Sequence, residues 1–196
     1  MRSRTRHVLL TLAERCLSLT DRLCQLIALI SGALFLLLSF YVTFDALGRT
    51  FGGPYSGATN DISVYTLASA GTWGFAQALR TASHVRVDLL LPMVPPRQRY
   101  LLNIGNAFLI GVFATMTSFY CWGLVHASWV LDARSITPLQ TPLVIPQALM
   151  SAGITALAVE AFIITAYGLV RYASLEPEVL VRDPRDPLTN IGGGAI

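Results

Sequence analysis

The chain has 196 residues, of which 54% are hydrophobic and only 13% are charged. Soluble domains carry about 25% charged residues, so this deficit, together with long uncharged runs, indicates an integral membrane protein. The formal charge of +3 is small and scattered, so the composition gives no basis for nucleic-acid binding, and we expect no nucleic-acid partner.

Residues 1–23 are predicted to form a cytoplasmic segment with an amphipathic helix that lies on the membrane surface. Apolar side chains recur there at spacings of three and four, at Val8, Leu12, Cys16, Leu19 and Leu23. A cleavable signal peptide is the alternative, but no small-residue cleavage site follows the first apolar run. Residues 24–44 are uncharged and cover about 30 Å as a helix, which predicts the first transmembrane span.

A turn-rich connection is predicted to begin at Asp45 and to include Arg49. Asp61 follows at the start of the next apolar run, where an acid can cap free backbone amides and complement the helix dipole. Residues 62–79 are predicted as the second span. Small residues recur along it every four positions, at Ala70, Gly74 and Ala78, and such rows let helices approach closely in lipid.

Two further spans are predicted at residues 100–122 and 146–170, and a flexible cytoplasmic tail is predicted at 171–196. The third span has a small-residue row at Ala107, Gly111 and Thr115. The fourth has one at Ala148, Ala152 and Ala156, which continues in register to Glu160. The predicted fold is therefore all-α, with a four-helix membrane domain at 24–170.

The distribution of arginines predicts the orientation of these spans. The amino-terminal segment, the central hairpin and the tail hold five, four and three arginines, whereas each of the other two connections holds one. Because positive residues concentrate on the cytoplasmic side, both termini and the hairpin are predicted to be cytoplasmic.

The polar hairpin between the second and third spans carries His84, Arg86 and Asp88. If the second helix continues past Leu79, Arg80, His84 and Asp88 share one face, and His84 can pair with Asp88. A proton relay is one interpretation, because histidine titrates near neutral pH. A cluster of ion pairs and headgroup contacts, or a docking motif, is the interpretation that we prefer, because no second titratable cluster supports a relay.

Glu160 is predicted to lie near the middle of the membrane, where an acid is costly and suggests a function. It could bind a coupling cation or proton. Without a visible base in the membrane, it could equally form hydrogen bonds with a neighbouring helix or subunit, and we prefer this structural role. Sequence alone then predicts that Glu160→Gln keeps assembly and most activity.

No catalytic, substrate-binding or metal-ligating set is recognisable. There is no phosphate-binding glycine loop, no Ser-His-Asp arrangement and no cluster of His with Cys at metal-ligand spacing. We expect no enzymatic activity and no cofactor on this chain.

Several motifs together resemble the DctQ family, the small membrane subunits of tripartite ATP-independent periplasmic (TRAP) transporters. The most specific one is Ala78-Leu79-Arg80 followed by His84-Val85-Arg86-Val87-Asp88-Leu89-Leu90. Asp61 stands where the family usually has Glu. The other similar positions are Arg49 and Pro54, Arg97 and Arg99, and Pro142 and Pro146 with Gly153.

The resemblance implies a non-catalytic subunit of a sodium-coupled importer of an organic anion, such as a carboxylate or sialic acid, in the bacterial inner membrane. Its partners would be a large polytopic subunit that binds sodium and substrate, a periplasmic binding protein, and lipid headgroups. The chain would brace the large subunit and help dock the binding protein. Candidate interface or family-motif residues are Arg49, Asp61, Arg80, His84, Arg86, Asp88 and Glu160.

Two other classes of function stay open at this point. One is a self-assembling exporter or channel that uses Glu160. The other is a membrane redox or quinone enzyme that uses the cysteines or His84.

Overall fold

The computed structural model describes residues 2–54, 56–81, 95–137 and 139–174. These residues form four helices: α1 (Arg2–Phe51), α2 (Thr59–Arg80), α3 (Pro96–Val130) and α4 (Val144–Ser174). The described chain contains no strand beyond one isolated bridge, which pairs Arg134 with Pro142 in the α3–α4 loop. The predicted all-α class is confirmed.

Three of the helices contain segments that are long and apolar enough to cross a membrane: Arg22–Phe51, Arg97–Val130 and Val144–Ala173. α2, which is predicted as the second span, is not among these three. Its 22 residues cover about 33 Å, which is long enough to cross a hydrocarbon core, but its composition is less apolar than that of these three segments. Because α2 packs against both α1 and α4, fewer of its side chains face outward, and fewer need to be apolar.

The helices pack in the order α1, α2, α4, α3, and α1 also contacts α4. α2 and α4 run in parallel, since Trp73 of α2 contacts Leu149 and Arg80 contacts Glu160 further along both helices. α3 runs antiparallel to α4, and α1 runs antiparallel to α2. The largest apolar cluster lies where the end of α2, the start of α3 and the second half of α4 meet, and it contains Leu79, Tyr100, Ile104, Ala107, Ala161 and Ile164.

The helices extend beyond the predicted spans. α1 is one continuous helix of 50 residues that includes the predicted surface segment and the first span, and it ends at Phe51. The predicted connection from Asp45 is therefore wrong in its first part, because Asp45 and Arg49 both lie in the last turns of α1. An uncharged run marks the part of a helix that can sit in hydrocarbon, whereas ion pairs and caps decide where the helix ends.

The carboxyl-terminal ends of α3 and α4 also lie beyond the predicted ends of their spans. α3 continues through Trp129, which is predicted in the connection, and α4 continues through Arg171 into the predicted tail. Pro146, where the fourth span is predicted to begin, lies in the first turn of α4. Residues 175–196 of the tail lie outside the described residues.

Candidate functional site

A buried ion pair joins α2 to α4. The guanidinium of Arg80 donates from Nε to Oε1 of Glu160, and the side chains are only 7% and 3% exposed. Arg80 is the last residue of α2, and Glu160 lies midway along α4. The sequence-based view of Glu160 as an acid without a base in the membrane is therefore wrong, because its base comes from the neighbouring parallel helix.

α1 completes this cluster. Nη2 of Arg80 donates to Oγ1 of Thr20 at 2.6 Å, and Sγ of Cys24 lies 3.9 Å from Oε2 of Glu160. Cys24 is itself buried. We call Thr20, Cys24, Arg80 and Glu160 the polar cluster, which connects three of the four helices through charge and hydrogen bonds.

The polar cluster was only partly predicted. Arg80 and Glu160 were each singled out, but they were not assigned to each other, and Thr20 was missed. The signal that could have found the pair is the similar distance of the two residues from the starts of their helices. Arg80 lies about 32 Å from the start of α2 and Glu160 about 24 Å from the start of α4, and the two helices begin on the same side. That difference is small enough for a long arginine side chain and a modest helix shift to close.

The predicted pair of His84 with Asp88 in the hairpin after α2 stays a prediction. α2 ends at Arg80, and the amide of Thr81 closes the helix on the carbonyls of Gln77 and Leu79. His84, Arg86 and Asp88 lie outside the described residues. Arg80 itself turns towards Glu160 rather than along a continued helix.

A second buried acid lies at the other end of α1. Asp45 is 3% exposed, and its carboxylate accepts hydrogen bonds from Nε of Arg49 at 3.0 Å and from the amide of Ser56 at 2.5 Å. Tyr41 donates to Oγ of Ser56 at 2.8 Å, so the α1–α2 turn is held from two directions. Arg49 was predicted as a motif residue, but Asp45 was not. The signal was the opposite charge four residues before Arg49.

Asp61 joins the start of α2 to the α3–α4 loop. Its carboxylate accepts hydrogen bonds from Oγ1 of Thr137 and from Oγ of Ser135, the latter at 3.5 Å, and the residue is 6% exposed. Asp61 lies in the first turn of α2, as predicted. The hydroxyls that it accepts from belong to the loop, however, so Asp61 anchors a distant loop rather than capping the amides of its own helix.

The small-residue positions divide by burial. Ala70, Ala107 and Gly111 are buried, Gly74, Ala78 and Ala156 are half-buried, and Ala152 is exposed. A Cβ added at Gly111 would lie 3.2 Å from the ring of Phe162, so this row does face α4.

α2 and α4 approach each other closely at Gly153. A Cβ added there would lie 2.5 to 2.9 Å from Thr72 and 2.6 Å from Trp73. The indole nitrogen of Trp73 also donates to the carbonyl oxygen of Leu149 at 2.7 Å. Gly153 was noted only as a family position, although it is the residue that lets α4 approach α2.

No metal-ligand arrangement is present among the described residues, in the sense that no three His, Cys, Asp or Glu side chains converge there. The charged groups that are brought together serve instead to connect helices and loops.

The family described as tripartite ATP-independent periplasmic transporters, DctQ component, matches residues 38–172 of the chain. The matched region contains α2, α3, nearly all of α4 and the last 14 residues of α1. No curated protein and no solved structure matches the chain.

Proposed function

Since the chain belongs to the DctQ component family of tripartite ATP-independent periplasmic transporters, we propose that it is the non-catalytic subunit that braces the large transport subunit. The large subunit carries the sodium and substrate sites in this proposal. The periplasmic binding protein delivers an organic anion, such as a carboxylate or sialic acid. The chain described here supplies a fixed surface for both partners.

The observation that carries the bracing role is the buried pair of Arg80 with Glu160. An acid that couples transport to an ion has to exchange its partner during each cycle. Glu160 is instead held by a guanidinium and lies beside the Cys24 thiol, among helices packed through Gly153 and Gly111. Such an arrangement favours a rigid part over a moving one.

The proposed topology has four membrane spans with both termini in the cytoplasm. The arginine distribution supports this orientation. The parallel packing of α2 along α4 supports α2 as a span, since α2 runs beside a helix that is apolar enough to cross. Asp61 and Arg80 then lie about 29 Å apart along α2, close to the thickness of a hydrocarbon core.

The two periplasmic loops of this topology are the proposed docking surface for the binding protein. Each is tied to the helices by a buried aspartate: Asp45 holds the α1–α2 turn, and Asp61 holds the α3–α4 loop. Loops held in this way present their exposed residues in one arrangement, which lowers the entropy cost of docking.

The test is co-expression of the chain with the large subunit and the binding protein, followed by affinity purification and transport in proteoliposomes with a sodium gradient. The expected result is a stable complex of this chain with the large subunit, and sodium-driven uptake that disappears when either membrane subunit is omitted. Uptake or export by this chain alone would contradict the proposal and favour the self-assembling exporter that uses Glu160.

A further inference from the structure

Two arginines at the start of α3 have no acidic partner among the residues that the structure describes. Arg97 and Arg99 lie in the first turn of the helix, which contains no acidic residue. The described chain places no carboxylate within ion-pair distance of either guanidinium. The amino-terminal end of a helix carries a partial positive charge, so two cations there repel the helix dipole as well as each other. An anion from outside the chain would relieve this conflict.

The Arg97 side chain is held in place by aromatic residues. Its Nε donates to the hydroxyl of Tyr172 at 3.0 Å, and its guanidinium carbon lies 5.4 Å from the centre of the Tyr172 ring. Tyr172 stacks on Tyr100 with a distance of 6.4 Å between the ring centroids, and Tyr100 is only 3% exposed. One edge of the guanidinium is thus fixed, while the residue as a whole stays exposed.

The arginines lie at the depth of lipid headgroups. Residues 100–130 of α3 contain no Asp, Glu, Lys or Arg, and they cover roughly 46 Å. This exceeds the hydrocarbon thickness of about 30 Å and matches a bilayer with its headgroup layers, about 40–45 Å. Tyrosines beside the arginines are typical of that layer.

We propose that Arg97, Arg99 and Tyr172 form a binding site for the phosphate of an anionic phospholipid in the cytoplasmic leaflet. The free edge of an arginine donates two parallel hydrogen bonds to phosphate oxygens, and the Tyr172 contact orients that edge. The choice of the cytoplasmic leaflet rests on the proposed topology. A phospholipid is favoured over a carboxylate of a protein partner because the phosphate layer is present at this depth along the whole perimeter of the subunit.

The test uses the full chain, alone and with its large partner, in nanodiscs of phosphatidylcholine that contain phosphatidylglycerol. After mild detergent extraction, retained phosphatidylglycerol is counted by native mass spectrometry. The expected result is a loss of retention in R97Q/R99Q of about fivefold for each arginine removed. Tyr172→Phe, which keeps the ring but removes the Arg97 acceptor, should lose less.

Arg134→Gln is the matched control, since Arg134 is an exposed arginine in the loop that follows α3 and has its own acid, Asp132. It should retain phosphatidylglycerol as the unsubstituted chain does. Circular dichroism and gel filtration of every variant separate loss of the site from loss of the fold.

Three outcomes would overturn the lipid site. One is equal retention of phosphatidylglycerol by R97Q/R99Q and the unsubstituted chain. Another is equal binding of inorganic phosphate to the detergent-solubilised chain with no preference for phosphatidylglycerol. The third is loss of the large partner from R97Q/R99Q with lipid retention unchanged, which would assign the arginines to the protein interface. If the unsubstituted chain binds no large partner at all, the proposed function fails while the lipid measurement on the chain alone still stands.

Discussion

Arg80 and Glu160 each carry a charge that would be costly if it stood alone among apolar side chains. Together they form a pair with no net charge, and Thr20 occupies a further donor of the guanidinium. The pair therefore stabilises the packing of three helices mainly by avoiding unpaired charge. Replacing both partners of such a buried pair is often harmless, whereas removing only one leaves the other charge buried without a partner.

We expect Arg80→Gln and Glu160→Gln to destabilise the subunit by about 3–5 kcal/mol each, because either change leaves a buried charge without its partner. This changes the expectation from sequence alone that Glu160→Gln is tolerated. R80Q/E160Q should recover part of the loss. The measurement is the thermal denaturation midpoint of the purified subunit and its complex in nanodiscs.

Arg134→Gln is the control for this experiment, because its ion pair with Asp132 has side chains that are 53% and 78% exposed. Breaking it should cost about 1 kcal/mol or less. If the losses of the two single variants simply add in R80Q/E160Q, the pair does not act as a unit. If that variant assembles normally but no longer supports transport, Glu160 has a role in coupling.

At the scale of the helices, α2 lies between α1 and α4. It contacts α1 on one side and α4 on the other, and its ends are held by Asp61 and Arg80. Its approach to α4 depends on the absence of a side chain at Gly153. In lipid, where burial between helices gains little hydrophobic free energy, this close packing and the hydrogen bond from Trp73 carry more of the association.

Gly153→Ala should separate α2 from α4 and destabilise the subunit by about 1–3 kcal/mol, the usual cost of overpacking. Gly105→Ala is the matched control, since a Cβ at this exposed helical position meets no atom within 4 Å. It should be neutral or slightly stabilising. The readout is the denaturation midpoint together with the yield of the complex, and equal midpoints for the two variants would contradict the close approach.

Asp61→Ala should loosen the α3–α4 loop, because Thr137 and Ser135 lose their common acceptor. We expect faster amide hydrogen exchange at residues 131–143 and a higher binding-protein concentration for half-maximal transport, with little change in the maximal rate. Asp61→Asn keeps one acceptor oxygen and should be milder. Asp132→Asn removes an exposed acid from the same loop and, since Asn tolerates the positive φ of 45° at this position, should change neither quantity. An unchanged exchange rate in Asp61→Ala would contradict the anchoring role.

At the scale of the whole subunit, the packing order leaves α1 and α3 on the outside with wide apolar faces. Only 11% of the apolar window in α1 and 22% of that in α3 are buried, against 39% in α4. These faces are available to lipid and to the large subunit, while the buried charges of Arg80, Glu160, Asp45 and Asp61 have partners within the described chain. This division suits a subunit that holds its own shape while it contacts a larger membrane partner.

The proposed topology predicts that Gly57 and Gln98, both exposed, lie on opposite sides of the membrane. In a chain whose cysteines are replaced by alanine, Gly57→Cys should react with a membrane-impermeant thiol reagent added outside the cell. Gln98→Cys should react only after the membrane is permeabilised. Labelling of both from one side would mean that α2 does not cross.

The amino-acid sequence by itself determined the helical class, the approximate positions of the apolar helices and the family. These depend on local properties: uncharged runs of sufficient length, helical spacing, and the motif that begins at Ala78. The helix ends were predicted less well, because the Asp45–Arg49 pair lets α1 continue beyond its uncharged run.

Only the tertiary structure decided which polar groups meet. The pairing of Arg80 with Glu160, the anchoring of the α3–α4 loop by Asp61 and the approach at Gly153 each join residues more than 70 positions apart. Such contacts depend on the order in which the helices pack and on their relative shift along the membrane normal. Periodicity within a single helix specifies neither, and several helix arrangements would bury the same faces.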